Sequence, residues 1–449
     1  MIAPWLGIGA VLAVLGVLFA VLKLFEQRTR PDPEVLRKLL HVGMGLTALS
    51  FPWLFHQHWP VLTLAAIAAV GLLGVRLIGA LRSSVGSVLH GVGRESLGEF
   101  SFALGIALLW VLANGNVLFY IIPLLVLTFA DAVAALVGVR YGTLRYATLD
   151  GTKSAEGSLA FFLTTFACVH VPLLLYSDVG RLESLLIAAI IGILVMLLEA
   201  TTWFGLDNLT IPVVGFVLLK TFTGLQPNQL LGCLAVIVVL AGIAFYQRRR
   251  TTLDDDALLA SVLFSYVFWV LGGVMWLVAP ATLFIKDKLQ SPVPAAQGAS
   301  ADDGRVHNVL AVLSVCLPGL AWSVAAVALD RPALFFPFTL TFAAHLAIFE
   351  TTRLRHQRPA ISHASALALA TLTGWLLLFI PYILMERWTQ TSLVESAIAL
   401  PCIAVVAMLF SALQPGMNDC PRDTPRWLRQ TSGAVLASAL GAAGAALGA

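Results

Sequence analysis

The sequence predicts an all-α fold, a polytopic transmembrane helical bundle of about 14–15 helices by the hydropathy rule. Three observations predict it. Of 449 residues, 59% are hydrophobic and only 11% charged, against about 25% charged in soluble domains. Apolar runs of about 20 residues, the length that crosses a ~30 Å hydrocarbon core, recur to the end of the chain. Lys and Arg gather in alternate loops, as they do in membrane proteins that follow the positive-inside rule.

The elements follow in order. Residues 2–25 form an apolar run with no charge before Lys23. It lacks a basic leading region and a small-residue cleavage site, so it reads as an uncleaved first helix rather than a signal peptide. Shorter segments at 39–54, 60–80 and 100–112 come next, and then 117–139, interrupted only by Asp131. Further runs lie at 159–176, 182–203, 210–224 and 230–246. The stretch RRRTTLDDD then separates two hydrophobic halves. The expected organisation is therefore 1–246 as one membrane domain, 247–256 as a charged cytoplasmic linker, and 257–449 as a second transmembrane domain. Within the second, 258–284 is read as a tight hairpin broken at Gly272–Gly273, followed by segments at 306–328, 334–348, 364–385, 393–413 and an Ala/Gly-rich tail from Ser432.

Lys23, Arg28, Arg30, Arg37 and Lys38 follow the first helix, which sets that loop in the cytoplasm and the N-terminus outside. Alternation then makes 80–99, 140–158 and 205–210 cytoplasmic, whereas the opposite loops at 55–59 and 113–116 carry no Lys or Arg. The expected location is a bacterial plasma membrane or its equivalent. A net charge of +3 with no basic cluster interleaved with aromatics gives nucleic acid no groove. The five cysteines are scattered, without a CxxC pair, and suggest neither a disulfide framework nor a zinc site.

Polar residues at the lip of a membrane segment mark function by default. Here they form four groups on the predicted cytoplasmic side: Arg37-Lys38 with His41 and Gly45; Arg94-Glu95-Ser96 with Gly98-Glu99; Asp131 to Ser158; and Glu199 with Asp207-Asn208 before Pro212. In the third group Asp131, Ala134 and Gly138 share one helix face by their spacing. The small residues let a backbone or a nucleotide approach that face. Gly142 and Gly151 allow tight backbone in the following loop, Lys153 supplies a mobile positive charge, and Ser154 is placed to cap the next helix. Free N–H groups at a helix start suit a phosphate, and Glu156 lies in that first turn. Carboxylates, a lysine and a helix N-terminus are what a Mg²⁺-triphosphate needs, since Mg²⁺ takes one or two carboxylates and keeps phosphate oxygens as its other ligands.

Plainer readings exist for each residue. Arg37, Lys38 and Arg94 also serve as topology-setting charges, Ala134 and Gly138 as packing contacts, and His41 as a hydrogen-bonded packing residue. Lys153 with Glu156 could be a surface ion pair of little consequence. No GxxxxGK[ST] loop, HExxH or GxSxG occurs.

The pattern Asp131-x-x-Ala134-x-x-x-Gly138-x-x-x-Gly142 followed by Lys153-Ser154-x-Glu156-Gly157 resembles the polyprenol kinase family of phytol, farnesol and dolichol kinases, related to CDP-diacylglycerol synthases. The Arg37-Lys38-x-x-His41, Arg94-Glu95-Ser96-x-Gly98-Glu99 and Asp207-Asn208 groups look like the phytol kinase branch. Thr152-Lys153 stands where the dolichol branch tends to show paired lysines. The resemblance covers residues ~30–220. It implies phosphoryl transfer from CTP, with ATP or UTP as alternatives, to a prenyl alcohol held in the bilayer among membrane lipids. It implies Asp131 and Asp207 as Mg²⁺ ligands or base, with Lys153 on the β/γ-phosphates. Glu156 and Glu99 would be further metal or hydrogen-bonding partners, and Arg94 and Lys38 phosphate clamps. Gly138, Gly142, Ser154 and Gly157 would line the nucleotide, with His41, Asn208 and Glu199 as additional polar residues of the site. Homo-oligomerisation is left open.

The second half faintly resembles phytyl-phosphate kinase-like membrane proteins. That family's Asn-Ala-Asp-Thr-type motif is not evident, and His345, Glu350 and Thr351 stand in its place, so a degenerate or structural domain is the expectation. Two other functions compete. A cytidylyltransferase making CDP-lipids would use the same nucleotide but needs a longer acidic and Gly-Gly signature. A transporter would place polar residues near the bilayer midplane rather than at one interface.

Overall fold

The computed structural model describes residues 3–77, 97–149, 151–248, 251–290, 307–358, 360–414 and 424–448. Apart from short single turns, these residues fold into sixteen helices and one two-stranded hairpin. Ten helices are long and apolar enough to cross a membrane, and His58–Leu73 and Gly98–Ala113 are shorter apolar helices. The protein is a multi-pass, all-helical membrane bundle. Its large exposed apolar side chains, such as Trp5, Val17, Val70, Val139 and Phe245, are surface suited to hydrocarbon rather than water.

The chain packs as two compact units, Met1–Val238 and Val239–Ala449. Unit 1 holds α1 (Pro4–Thr29), α2 (Pro33–Leu49), α3 (His58–Leu77), α4 (Gly98–Ala113), α5 (Val117–Tyr141), α6 (Ala155–Tyr176), α7 (Arg181–Thr201), α8 (Asp207–Phe222) and most of α9 (Pro227–Gln247). Their limits fall within a few residues of the apolar runs, except that α2 and α6 begin earlier, in polar sequence. Asp32 explains the first: it precedes Pro33 and its side chain accepts the Glu34 N–H at 2.8 Å, so cap and proline start the helix together.

Between α5 and α6 the expected loop is instead a hairpin. Strand β1 (Arg145–Thr148) pairs antiparallel with β2 (Gly151–Ser154), setting Tyr146 opposite Lys153. Gly151, at φ +130°, takes the positive-φ position that the connection requires. Inside α5, residues Val126–Ala130 form a π-helical turn directly before Asp131.

Unit 2 holds α10 (Asp255–Gly272), α11 (Val278–Gln290), α12 (Val309–Ala328), α13 (Phe335–Gln357), α14 (His363–Met385), α15 (Gln390–Leu413) and α16 (Thr424–Gly448). Helix α13 is its largely buried centre. Residues 258–284 do break where the glycine pair stands: α10 ends at Gly272, Gly273 adopts φ 74°, and α11 folds back. The return is antiparallel, because Thr252 before α10 donates to Asp287 near the end of α11 at 3.1 Å.

Candidate active site

The site is built where α2, α5, the hairpin, α7 and α8 meet in unit 1. Lys38 reaches from the second turn of α2 to α5, and its Nζ donates to Asp131 Oδ2 at 2.6 Å. Both side chains are buried, at 5% and 11% exposure. A lone buried carboxylate must find a partner, and a lysine 93 positions earlier is that partner. His41, one turn beyond Lys38, places Nε2 2.9 Å from the Leu127 carbonyl and 3.9 Å from Asp131 Oδ2. The carbonyl belongs to the π-helical turn, whose wider winding frees backbone acceptors; such turns recur at functional sites. Gly45 completes the contact, since a Cβ there would stand 2.1 Å from Thr128 Oγ1 in the same turn. Only glycine lets α2 lie this close to α5.

The second ion pair lies across the hairpin. Lys153 Nζ donates to Glu199 Oε1 at 2.7 Å and to the Glu199 carbonyl at 2.6 Å, at the C-terminal end of α7. A cation there also suits the helix dipole. Burial lowers the affinity of the Lys153 amine for its proton, but the Glu199 carboxylate and its hydrogen bond outweigh this and raise its pKa above 10.5. The amine is therefore charged at neutral pH.

Asp207 lies within electrostatic reach of both pairs, interacting with Asp131, Lys38 and Lys153. Its Oδ1 is buried and has no hydrogen-bond partner among the described residues, and a buried lone acceptor is costly, by about 1–3 kcal/mol. The turn that delivers it is unusual. Phe204 has φ 56° and Gly205 φ 76°, and a bulky residue in the left-handed region stores on the order of 1–3 kcal/mol. The Phe204 carbonyl accepts the Leu97 N–H at 3.0 Å, while Asn208 Nδ2 donates to the Gly98 carbonyl at 3.0 Å. The start of α4, with Glu99 in its first turn, is thereby fastened to the start of α8.

The small face of α5 is occupied by protein. A Cβ on Gly157 would stand 3.0 Å from the Ala134 carbonyl and 3.3 Å from Gly138 Cα, and one on Gly138 3.2 Å from Ser154 Oγ. Ser154 caps α6 as expected, accepting the Gly157 N–H at 3.1 Å. Gly142, between α5 and β1, packs on Ser154 in the same way. Glu156 does not join the carboxylates around Lys153. It accepts the backbone N–H groups of Thr143 and Leu144 at 3.0 and 3.2 Å, and the Thr143 hydroxyl.

Thus Lys38, His41, Asp131, Lys153, Glu199 and Asp207 come together, with Asn208 beside Asp207. Glu156 and the glycines shape the hairpin. Lys38, expected as a phosphate clamp, is instead engaged by Asp131, while Arg37 pairs with Glu34 at 2.6 Å. Arg94, Glu95, Ser96 and Asp150 lie outside the described residues. Among the described residues no three His, Cys, Asp or Glu side chains stand together as a metal-binding group. The π-helical turn and the strained Phe204 turn had no signature in the sequence. In unit 2, His345 is fully buried, and Glu350 accepts from Arg353 at 3.1 Å with Lys286 at 3.9 Å.

Fold and site together define a multi-pass membrane protein that keeps a partly buried cluster of two lysines and three carboxylates in its first helical unit. The chain is 33% identical over 211 residues to the phytol kinase of Synechocystis sp., a match covering 46% of this chain and 88% of that relative. It belongs to the phytol kinase family of the polyprenol kinase group. The match accounts for about half of the chain. The chain matches no protein-family model and no solved structure.

Proposed function

We propose that unit 1 is a kinase that transfers a phosphoryl group from CTP to the hydroxyl of a prenyl alcohol, such as phytol, geranylgeraniol, farnesol or a polyprenol. ATP and UTP are the alternative donors. The observation that carries the reading is the convergence of Asp131 and Asp207 with Lys38 and Lys153 from separate elements, Asp207 Oδ1 having no partner among the described residues. Family membership and the activity named for the Synechocystis relative support it. The reaction is thereby assigned to the cytoplasmic face, where the Lys/Arg-rich loops of unit 1 belong by the positive-inside rule.

The chemistry fits the residues. A prenyl chain dissolves in the bilayer and leaves its hydroxyl at the lip of the helices. The alcohol oxygen attacks the γ-phosphorus, the bond to the bridging oxygen breaks, and the nucleoside diphosphate leaves. Such transfer is mostly positioning and charge neutralisation. Asp207 is the better proton acceptor, because Lys38 already compensates Asp131. The free carboxylate oxygen of Asp207 and the second oxygen of Asp131 form the pair that would hold Mg²⁺, whose other ligands are phosphate and water oxygens. When bound, that ion neutralises charge on the β- and γ-phosphates. Lys153, held by Glu199, is a cation of the hairpin strand β2, beside which Gly138, Gly142, Ser154 and Gly157 would border a nucleotide.

The test is a membrane assay with labelled CTP, ATP and UTP against a panel of prenyl alcohols. Labelled prenyl phosphate that disappears in Asp131→Asn and Lys153→Ala is the expected result. Full activity in both variants overturns the assignment.

A further inference from the structure

Unit 2 contains a cavity of about 350 Å³, within the usual range for small-molecule sites, between the end of α9 and helices α10, α11 and α12. Its walls are apolar, with Phe264, Phe268, Phe284 and Val315 among them. Ile243 lines it and is itself 51% exposed, so the cavity reaches the apolar perimeter of the unit. A chain could slide in sideways from hydrocarbon.

One end differs. Asp287, His307 and Gln247 line the cavity and belong to a hydrogen-bonded group. Thr252 Oγ1 donates to Asp287 at 3.1 Å and lies 3.2 Å from His307 Nδ1. Lys288 Nζ donates to the Gln247 side-chain oxygen. With the hydroxyl proton of Thr252 directed to Asp287, His307 Nδ1 is the donor to Thr252. Among the described residues, the charged side chain that lines the cavity itself is the Asp287 carboxylate; Lys288, outside the lining, keeps its charge and is directed onto the Gln247 amide oxygen. A carboxylate accepts hydrogen bonds and repels anions. The headgroup that fits donates a hydrogen bond and bears no negative charge.

We infer that unit 2 carries a second, non-catalytic lipid site that holds a single-chain, long-chain alcohol, with its hydroxyl donating to Asp287. This excludes phosphorylated and carboxylated lipids of the same chain length. The site stands on its own residues and does not depend on the kinase reading of unit 1.

The test uses the full chain in phosphatidylcholine nanodiscs and two diazirine-bearing probes, a C20 prenyl alcohol and its monophosphate. Peptides of α10 and α12 should be labelled by the alcohol at least tenfold more than by the monophosphate. Ser265→Phe, which fills the cavity, should remove that labelling, and Asp287→Asn should let the monophosphate label as well as the alcohol. Equal labelling by both probes of the unmodified protein overturns the inference, as does labelling that survives Ser265→Phe. A phosphatidylcholine diazirine probe that labels the same peptides and resists competition by the alcohol would show a bilayer-lipid crevice, which also overturns it. The labelling is repeated in Asp131→Asn. Alcohol labelling that persists there, whatever the phosphoryl-transfer assay gives, keeps the two readings separate.

Discussion

Lys38 and Asp131 form a hydrogen-bonded ion pair of 2.6 Å between α2 and α5, with both side chains buried. Removing one partner of such a pair strands a charge, and the usual cost is about 3–5 kcal/mol. Lys38→Met and Asp131→Asn should therefore each lower the thermal stability of the purified protein. The double variant should recover much of the loss. If Lys38→Met alone melts like the unmodified protein, the pair does not join these helices.

Asp207 makes no hydrogen bond through Oδ1 among the described residues, so its removal should separate stability from chemistry. Asp207→Asn is expected to keep or raise the melting temperature, because a charge near Asp131 disappears. Phosphoryl transfer should fall by about 10²–10⁴-fold, the usual contribution of a positioned base. Retained transfer alongside retained folding would remove Asp207 from the mechanism.

Lys153, on the hairpin and outside the membrane spans, offers a pH test through its pair with Glu199. The folded amine holds its proton above the ordinary value of 10.5. Its stabilising contribution is thus complete below about 10.4, the unfolded value, and is lost only as pH rises through the higher folded one. The melting-temperature gap between the unmodified protein and Lys153→Met should stay constant from about pH 7 to 10 and narrow above. A double-mutant cycle with Glu199→Gln should return a coupling of about 0.5–3 kcal/mol.

Asp254 gives a slope of the same sign in a lower pH window. Burial, a hydrogen bond with Asp256 and the charge of Asp256 push its carboxyl up to about 8. The unfolded group titrates near 3.9, so between roughly pH 4 and 8 the native state holds a proton that the unfolded state has released. Stability should fall as pH rises through that window. Asp254→Asn keeps a capping side chain for α10, whose Ala257 N–H now bonds Asp254 at 3.0 Å, and should flatten the slope.

Glu156 is predicted to act on structure. Its bonds to Thr143 and Leu144 fasten the entrance of the hairpin. Glu156→Ala should speed trypsin cleavage at Arg145 while leaving the global melting temperature nearly unchanged. Unchanged cleavage would return Glu156 to the candidates for nucleotide or metal contact.

Much of this was legible in the sequence and some was not, for physical reasons. Helix limits follow from hydropathy because hydrocarbon demands unbroken apolar runs, and the Gly272–Gly273 break follows from backbone freedom. Asp131 was legible as an isolated charge in such a run. Its tie to Lys38 was not, since pairing across 93 positions depends on how helices pack. Glu199 could be noticed as a polar residue but not matched to Lys153. The hairpin had a signal in Asp150-Gly151 beside Tyr and Thr residues, which reads equally well as a flexible loop. The small face of α5 was read correctly as a surface for close approach. What approaches it in the structure is the backbone of Gly157.

The π-helical turn at Val126–Ala130 has a consequence for how related chains can differ. Such a turn holds one residue more than an α-helical turn of the same rise. Losing one residue there would restore regular winding and take the Leu127 carbonyl from His41, whereas a further insertion would swing everything after it by about 100° around the helix axis and carry Asp131 away from Lys38. Substitutions in this stretch are therefore tolerable so long as Thr128 still fits beside Gly45, whereas insertions and deletions are not. Chain length across these five positions is as much a part of the site as any charged group in it.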